Sequence, residues 1–576
     1  MKTMKKILTL VLALLMVVSL ALPAMASDVG GGNSSNPTAN PKITIMSSKN
    51  NAVEGSGLGH TYVAYQILSG TMKPDSTDSS KSNFVVAGWG NGVDSTALLN
   101  KLTTTNTLGD PNPMASITDA NSFAEILVTL NAEQVKAVAK IINTCLVDAN
   151  GIESKYMEYD ETAKKHKYEI EVPVGYYLIK DAKNSLDTDA NGKPQENKDY
   201  TDLILHVSND VTVYHKGSVP TVDKYVSEFG NAEKGSIETA MSQEYYYKLV
   251  ATLPSDYENY SEYMLQFVDK MDKGITFNPA TGIEKVFAVR TDDGSEVTLH
   301  AKSTEHPNGY ELNYDTTGAD KNVMTITFGN LMHENEHKLE GGDQIIVLYK
   351  AKLNENAVIG NTGNSNDVSL KYSNDPQVIS SYGTTKDDST TVYTVGVKIT
   401  KVDGSNGAAL AGVKFKLYHT VGDAKDPQYA IVTNGKITGW TMNDSEATEL
   451  VTDANGNFTI EGLNTKVNYY LKETDTLQGY ELLKDPVHIY LTAEYEGNVI
   501  DYVGMQESIN NNRFVEDINS WETNNVVHGV QFKVVNNPGA VLPETGGIGT
   551  TIFYILGGIM VLGAALLLIT KKRVSV

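Results

Sequence analysis

Cysteine is almost absent from this sequence: Cys145 is the single thiol in 576 residues, so no internal disulfide can form. Positive charge is also scarce. Lys and Arg total 47 against 70 Asp and Glu, a formal net charge of -23. A surface this acidic argues against nucleic acid and anionic lipid as partners. Helical periodicity is thin as well. Its clearest candidate runs from Asn121 to Leu146, where Phe123, Ile126, Leu127, Leu130, Val135, Val138, Ile141 and Ile142 form a broken stripe with a 3.6-residue repeat. Most of the remainder alternates in short stretches between Gly, Asn and Asp turns, which predicts a mainly β chain of tandem Ig-like sandwiches with one helix-containing insertion.

The ends say where the chain works. Lys2, Lys5 and Lys6 precede an apolar run from Ile7 to Leu22 and the small-residue stretch Pro23-Ala24-Met25-Ala26. That pattern is a secretory signal peptide over 1–26. Ile548 to Thr570 carries no charge and is long enough to cross a bilayer as a helix, and Lys571, Lys572 and Arg573 close it. Loss of the signal and of everything after Thr545 removes these six cations and no acid, taking the formal charge from -23 to -29. An exported chain without disulfides must find its resistance to force and proteases elsewhere.

Residues 27–41 are rich in Gly, Ser and Asn and read as a flexible leader. Composition then suggests an N-terminal domain over 42–217, a middle domain over 218–393, a third over 394–540 and a sorting segment over 541–576. The middle and third domains share a weak repeat, each opening on a strand with a Lys near an Asp and closing on an Asn-bearing strand.

Two motifs that suggest metal sites do not survive their context. His333-Glu334-Asn335-Glu336-His337 fits H-E-x-x-H, but strand patterns flank it where zinc binding needs a helix. Asp187 to Gly192 opens like an EF-hand, but Lys198 occupies the position of the bidentate Glu and Pro194 interrupts the loop. No metal and no cofactor is expected.

Leu542-Pro543-Glu544-Thr545-Gly546 directly precedes the apolar span and cationic tail. That ordered trio resembles the cell-wall sorting signal read by sortases of Gram-positive bacteria. The resemblance implies cleavage between Thr545 and Gly546, with the Thr545 carbonyl held as a thioester until an amine attacks it.

The opening strands of the later domains carry unusual lysines. Val222, Lys224 and Val226 share one strand face, which turns Lys224 inward, where an unpaired ammonium is costly. Asp269 shares the phase of Leu265 and Phe267, and Asn366 and Asn374 share a face with Val368, Leu370 and Tyr372. An inward Lys, acid and Asn together suit an intramolecular isopeptide bond, Lys224–Asn366 assisted by Asp269, with Asn374 as the alternative acyl group. In the third domain, Val397-Lys398-Ile399, Tyr470-Leu471-Lys472-Glu473-Thr474 and Phe532-Lys533-Val534-Val535-Asn536 resemble the opening, acid and closing strands of CnaB-type domains. That resemblance implies a Lys398–Asn536 bond assisted by Glu473. In the family mechanism burial neutralises the amine and keeps the acid protonated, and the amine then displaces ammonia from the carboxamide. Val172 to Asp181 resembles an acid-bearing strand too, but no matching Lys and Asn accompany it, so no bond is expected in the N-terminal domain.

Val211-Thr-Val-Tyr-His-Lys216 resembles a pilin motif, with His215 where the common form has Pro. Over its full length the chain resembles the major, or backbone, subunit of sortase-assembled pili of Gram-positive bacteria. The resemblance implies a cell-wall-anchored adhesion fibre in which Thr545 of one subunit is joined to Lys216 of the next. It also implies partners: a class C sortase for polymerisation, a housekeeping sortase for attachment to peptidoglycan, identical subunits, and minor tip or base pilins. Apart from its single-turnover cross-links, such a chain is not an enzyme. A monomeric wall-anchored adhesin with the same modules is the alternative reading.

Overall fold

A computed structural model of the chain describes all residues except 1–39, 47–59, 75–81, 161–164, 183–184, 187–195, 201, 216, 229–232, 334–338, 377, 421–425, 507–513, 540–547 and 575–576. The described chain is dominated by strands. It divides into two compact units, one reaching to Tyr393 and the other starting at Thr394. The short segments Thr239–Ser242 and Ile359–Thr362 belong to the second.

The first unit begins with a four-stranded and a five-stranded sheet. In the four-stranded sheet the strand Val211–Tyr214 lies at one edge, parallel to Lys42–Met46, and pairs Ile43 with Val211 and Ile45 with Val213. Ile43, Ile45, Tyr62, Tyr168, Ile170, Tyr177 and Ile179 fill the core between the sheets. Three helices cover a second core containing Leu98, Leu102, Phe123, Val138 and Ile142.

The periodic stretch around Asn121 to Leu146 is two helices, Ala120–Leu127 and Ala132–Asn143. Asn131 explains the break. Its side chain accepts from the Gln134 amide while the Gln134 side chain accepts from the Asn131 amide, a capping box that restarts the helix. A third helix, Ser95–Thr104, is capped by Asp94. Its weak apolar stripe hid it in the sequence, although the Asp cap was legible.

The middle of the chain forms two facing sheets. The first contains the strands Thr221–Ser227, Glu244–Thr252 and Gln344–Leu353, and the second contains Leu265–Asp272 and Asn364–Ser373. Along Leu265–Asp272 burial alternates strictly, so Leu265, Phe267, Asp269 and Met271 all point into the layer between the sheets. Two short strands, Tyr382–Thr384 and Asp388–Tyr393, follow Asn364–Ser373 in the second sheet.

The second unit is built on one eleven-stranded sheet. Its first strand, Val395–Asp403, runs parallel to its last, Val526–Asn536, with Lys401 opposite Val534 and Asp403 opposite Asn536. A helix, Ile548–Val574, follows, and Thr551–Lys571 within it is long and apolar enough to cross a membrane.

Candidate functional site

In the middle of the chain Lys224, Asp269 and Asn366 meet between the two sheets, all at most 3% exposed. Lys224 Nζ donates to Asp269 Oδ1 at 2.6 Å. The Tyr349 hydroxyl completes the cluster. It donates to Asp269 Oδ2 and accepts from Asn366 Nδ2 at 2.7 Å, and Lys224 Nζ donates to it at 3.4 Å. Burial pushes the Lys224 amine below its ordinary value against the pull of Asp269, which favours the nucleophilic neutral form. The Tyr247 ring lies beneath the same nitrogen at 4.8 Å. Among the described residues Asn366 Oδ1 has no hydrogen-bond partner, an arrangement that costs about 1–3 kcal/mol in a buried acceptor. Asn374 stands apart from this cluster. It is buried beyond the strand end, and its Oδ1 accepts from Ser381 Oγ at 2.8 Å.

In the second unit Lys398 is not part of the site. Val397 and Ile399 are fully buried, and alternation places Lys398 on the other face, half-buried and paired in register with Thr459 and Gln531. The inward lysine is Lys401, which shares the phase of Val397 and Ile399 and is fully buried. Its Nζ lies 4.0 Å from Glu473 Oε1 and donates to the Val534 carbonyl at 3.1 Å. Asn536 Nδ2 donates to Glu473 Oε1 at 2.9 Å and to Thr476 Oγ1 at 2.8 Å. As with Asn366, the Asn536 Oδ1 atom has no partner among the described residues. Burial pulls the Lys401 amine down to about 8 and pushes the Glu473 carboxyl up, so both groups are biased toward neutrality. The signal was present in the sequence: the alternation Val397, Ile399, Lys401 points inward, whereas Lys398 is out of phase.

In the N-terminal part Asp181 is buried, and its carboxylate meets His60 Nδ1 at 2.8 Å. His215, at the end of the edge strand, turns inward. Its Nδ1 meets the Tyr62 hydroxyl at 3.1 Å and its Nε2 meets Asp199 Oδ2 at 3.1 Å. Burial alone would lower the His215 pKa, but the facing Asp199, helped by Asp181 and Asp256, raises it. Gly217 is required beside this network, because a Cβ there would lie 1.3 Å from Asp199 Oδ2. His60, Asp181 and His215 each bring an atom of metal-ligand type within 4.8 Å of the others, but hydrogen bonds to Asp181, Tyr62 and Asp199 already engage these rings. Lys216 and all of Leu542 to Gly546 lie outside the described residues, as do 334–337 of the H-E-x-x-H stretch and 187–192 of the EF-hand-like stretch.

An exported, mainly β chain with two buried Lys–acid–Asn sets and a span-length C-terminal helix is a surface-attached structural protein. Comparison with known proteins narrows the class. Residues 244–376 match the family model of the Gram-positive pilin backbone subunit 2, Cna-B-like domain. Residues 395–503 match a prealbumin-like fold domain, and 534–576 match the LPXTG cell wall anchor motif. The trypsin-resistant surface T6 protein of Streptococcus pyogenes serotype M6 is 25% identical over 403 residues, covering 62% of this chain and 70% of that protein. Among solved structures, the T6 backbone pilin of serotype M6 S. pyogenes aligns at 16% identity and a TM-score of 0.47, covering 87% of this chain and 99% of that one. The full-length major pilin SpaD of Corynebacterium diphtheriae aligns at 16% identity and a TM-score of 0.47, covering 88% and 99%. The chain is similar to the backbone pilins of Gram-positive bacteria over these matched regions, and it is a secreted, wall-anchored structural subunit of a pilus, processed by sortase and polymerised with other pilin subunits.

Proposed function

We propose that this subunit is joined head to tail, Thr545 of one copy acylating Lys216 of the next, and that two self-formed isopeptide bonds harden it, Lys224–Asn366 assisted by Asp269 and Lys401–Asn536 assisted by Glu473. The supporting observation is the recurrence of a buried Lys, acid and Asn in two successive parts of a chain that cannot form an internal disulfide. Burial neutralises the amine, and folding supplies the proximity. Each bond forms Nζ–Cγ, breaks Cγ–Nδ2 and releases ammonia, a loss of about 17 Da per bond by the stoichiometry of acyl transfer. The trypsin resistance in the relative's name is the property such bonds would confer.

Head-to-tail transfer has the geometry of an open filament rather than a ring. A class C sortase suits the transfer to Lys216, and a housekeeping sortase suits the final attachment to peptidoglycan. The test replaces Lys216 by Arg in the full chain and examines wall extracts. The expected result is loss of the high-mass ladder with both internal mass deficits retained. A persisting ladder would move the acceptor to another lysine.

A further inference from the structure

Tyr349 has no task in the Lys–acid–Asn scheme, yet its hydroxyl touches all three members of the middle cluster. The strand Gln344–Leu353 pairs Tyr349 with Tyr247, the two rings lie 5.1 Å apart, and both are fully buried. The phenol is therefore held in place by packing before any reaction occurs. The second unit shows what the hydroxyl accomplishes. There Glu473, one methylene longer than Asp269, reaches the carboxamide nitrogen of its Asn directly at 2.9 Å. In the middle cluster the shorter acid engages Lys224, and the Tyr349 oxygen spans the remaining gap to Asn366 Nδ2.

We propose that Tyr349 is a catalytic residue of the middle cross-linking reaction, relaying a proton from Asp269 to the departing nitrogen of Asn366. This inference rests on the isopeptide reading above. Starting from the neutral Lys224–Asp269 pair, Nζ attacks Asn366 Cγ and gives one proton to Asp269 Oδ1. Tyr349 gives its proton to Nδ2 and is reprotonated from Asp269 Oδ2. The Cγ–Nδ2 bond breaks, ammonia leaves, and Asp269 and Tyr349 end as they began. Burial holds the phenol protonated well above its ordinary range, as a donor requires.

The test follows newly made full-length chain in a Gram-positive host by pulse labelling, enzymatic release from the wall and mapping of the peptide that links Lys224 to Asn366. Tyr349→Phe keeps the ring and removes the hydroxyl. It should slow linkage on the order of 10²-fold, the usual contribution of one positioned proton transfer. The Lys401–Asn536 bond in the same molecules serves as the internal control. Tyr245→Phe removes a neighbouring buried hydroxyl that contacts neither Asp269 nor Asn366, and should link at the parental rate. The double variant Asp269→Glu with Tyr349→Phe copies the direct contact of the second unit and should regain linkage. Parental-rate linkage in Tyr349→Phe overturns the proposal. If that variant fails to fold, the double variant decides: restored linkage supports the relay, and a folded but unlinked product overturns it. Absence of the linked peptide from the unaltered chain would instead sink the isopeptide reading, since no variant could then differ.

Discussion

The two lysine sites place the same three residue types in different frames. In the middle of the chain Lys224 lies on one sheet, with Asp269 and Asn366 on the facing one. In the second unit Lys401 and Asn536 lie on neighbouring parallel strands of a single sheet, the first and last of its fold. Both frames put the three side chains in a dry interior, and in each burial lowers the pKa of the amine. The mechanical consequences differ. A middle bond would staple two sheets, whereas a bond in the second unit would join the strands where the chain enters and leaves.

The largest effect should come from removing either bond. Lys224→Ala or Asp269→Ala should abolish the middle bond's deficit of about 17 Da, measured against each variant's own sequence mass, and open the middle to trypsin, and Lys401→Ala or Glu473→Ala should do the same for the second unit. Chain-entropy reasoning for cross-links enclosing roughly 100 residues or more puts each loss at about 4–5 kcal/mol, a fall of roughly 10 °C or more in the melting temperature of the affected part. Lys398→Ala separates the two lysines of the opening strand. Lying on the half-buried face, it should keep the deficit and stay within about 0.5 kcal/mol of the parent. If Lys398→Ala lost the deficit instead, the placement of Lys401 at the reacting position would be wrong.

A smaller effect separates the two frames under force. Pulling the subunit from its ends should bypass the folded part between each Lys and its Asn. In the second unit Asn536 ends the last strand, so only the six strand residues before Lys401 are left to extend. In the middle, residues 367–393 follow the cross-link and include the strands Tyr382–Thr384 and Asp388–Tyr393. These 27 residues should peel away and lengthen the molecule by about 90 Å, from roughly 3.3 Å per extended residue. Single-molecule stretching that found equal extension from both parts would erase the distinction.

Period-two alternation made much of this legible. It placed Asp269 with Leu265 and Phe267, and Asn366 with Val368 and Leu370, on inward faces, where they lie. Motif resemblance misled where it overrode that alternation: Lys398 fitted the opening-strand pattern, but Lys401 has the inward phase. Two other features were out of reach. Tyr349 carries no mark within a tyrosine-rich strand pair, because its role depends on which hydroxyl the register sets between Asp269 and Asn366. The turn of His215 into the interior depends on Tyr62 and Asp199, distant in sequence. Asn131 shows the converse, since its capping pair with Gln134 was a local signal, outweighed by the apolar stripe running across it.

The smallest effect is a pH dependence that appears only when bonding is blocked. Asn536→Ala removes the acyl group and leaves Lys401 and Glu473 unreacted. Burial holds the Lys401 amine at about 8, below the ordinary lysine value near 10.4, so between those limits the unfolded chain binds more protons than the folded one. Stability must therefore rise with pH across that window. Glu473 has the opposite sign. Its folded pKa is raised by burial, so the folded state binds more protons, and stability falls as pH climbs above the ordinary carboxylate value. Together they give the second unit of the variant a stability minimum around neutrality, the reverse of the maximum between about pH 5 and 8 common in proteins. With the proposed Lys401–Asn536 bond formed, the Lys401 nitrogen of the parent would be an amide unable to titrate, so the alkaline limb should vanish while the acid limb from Glu473 remains. Melting curves from pH 4 to 10 on the two proteins supply the comparison, and an alkaline rise of equal size in both would mean that Lys401 is still a free amine in the parent.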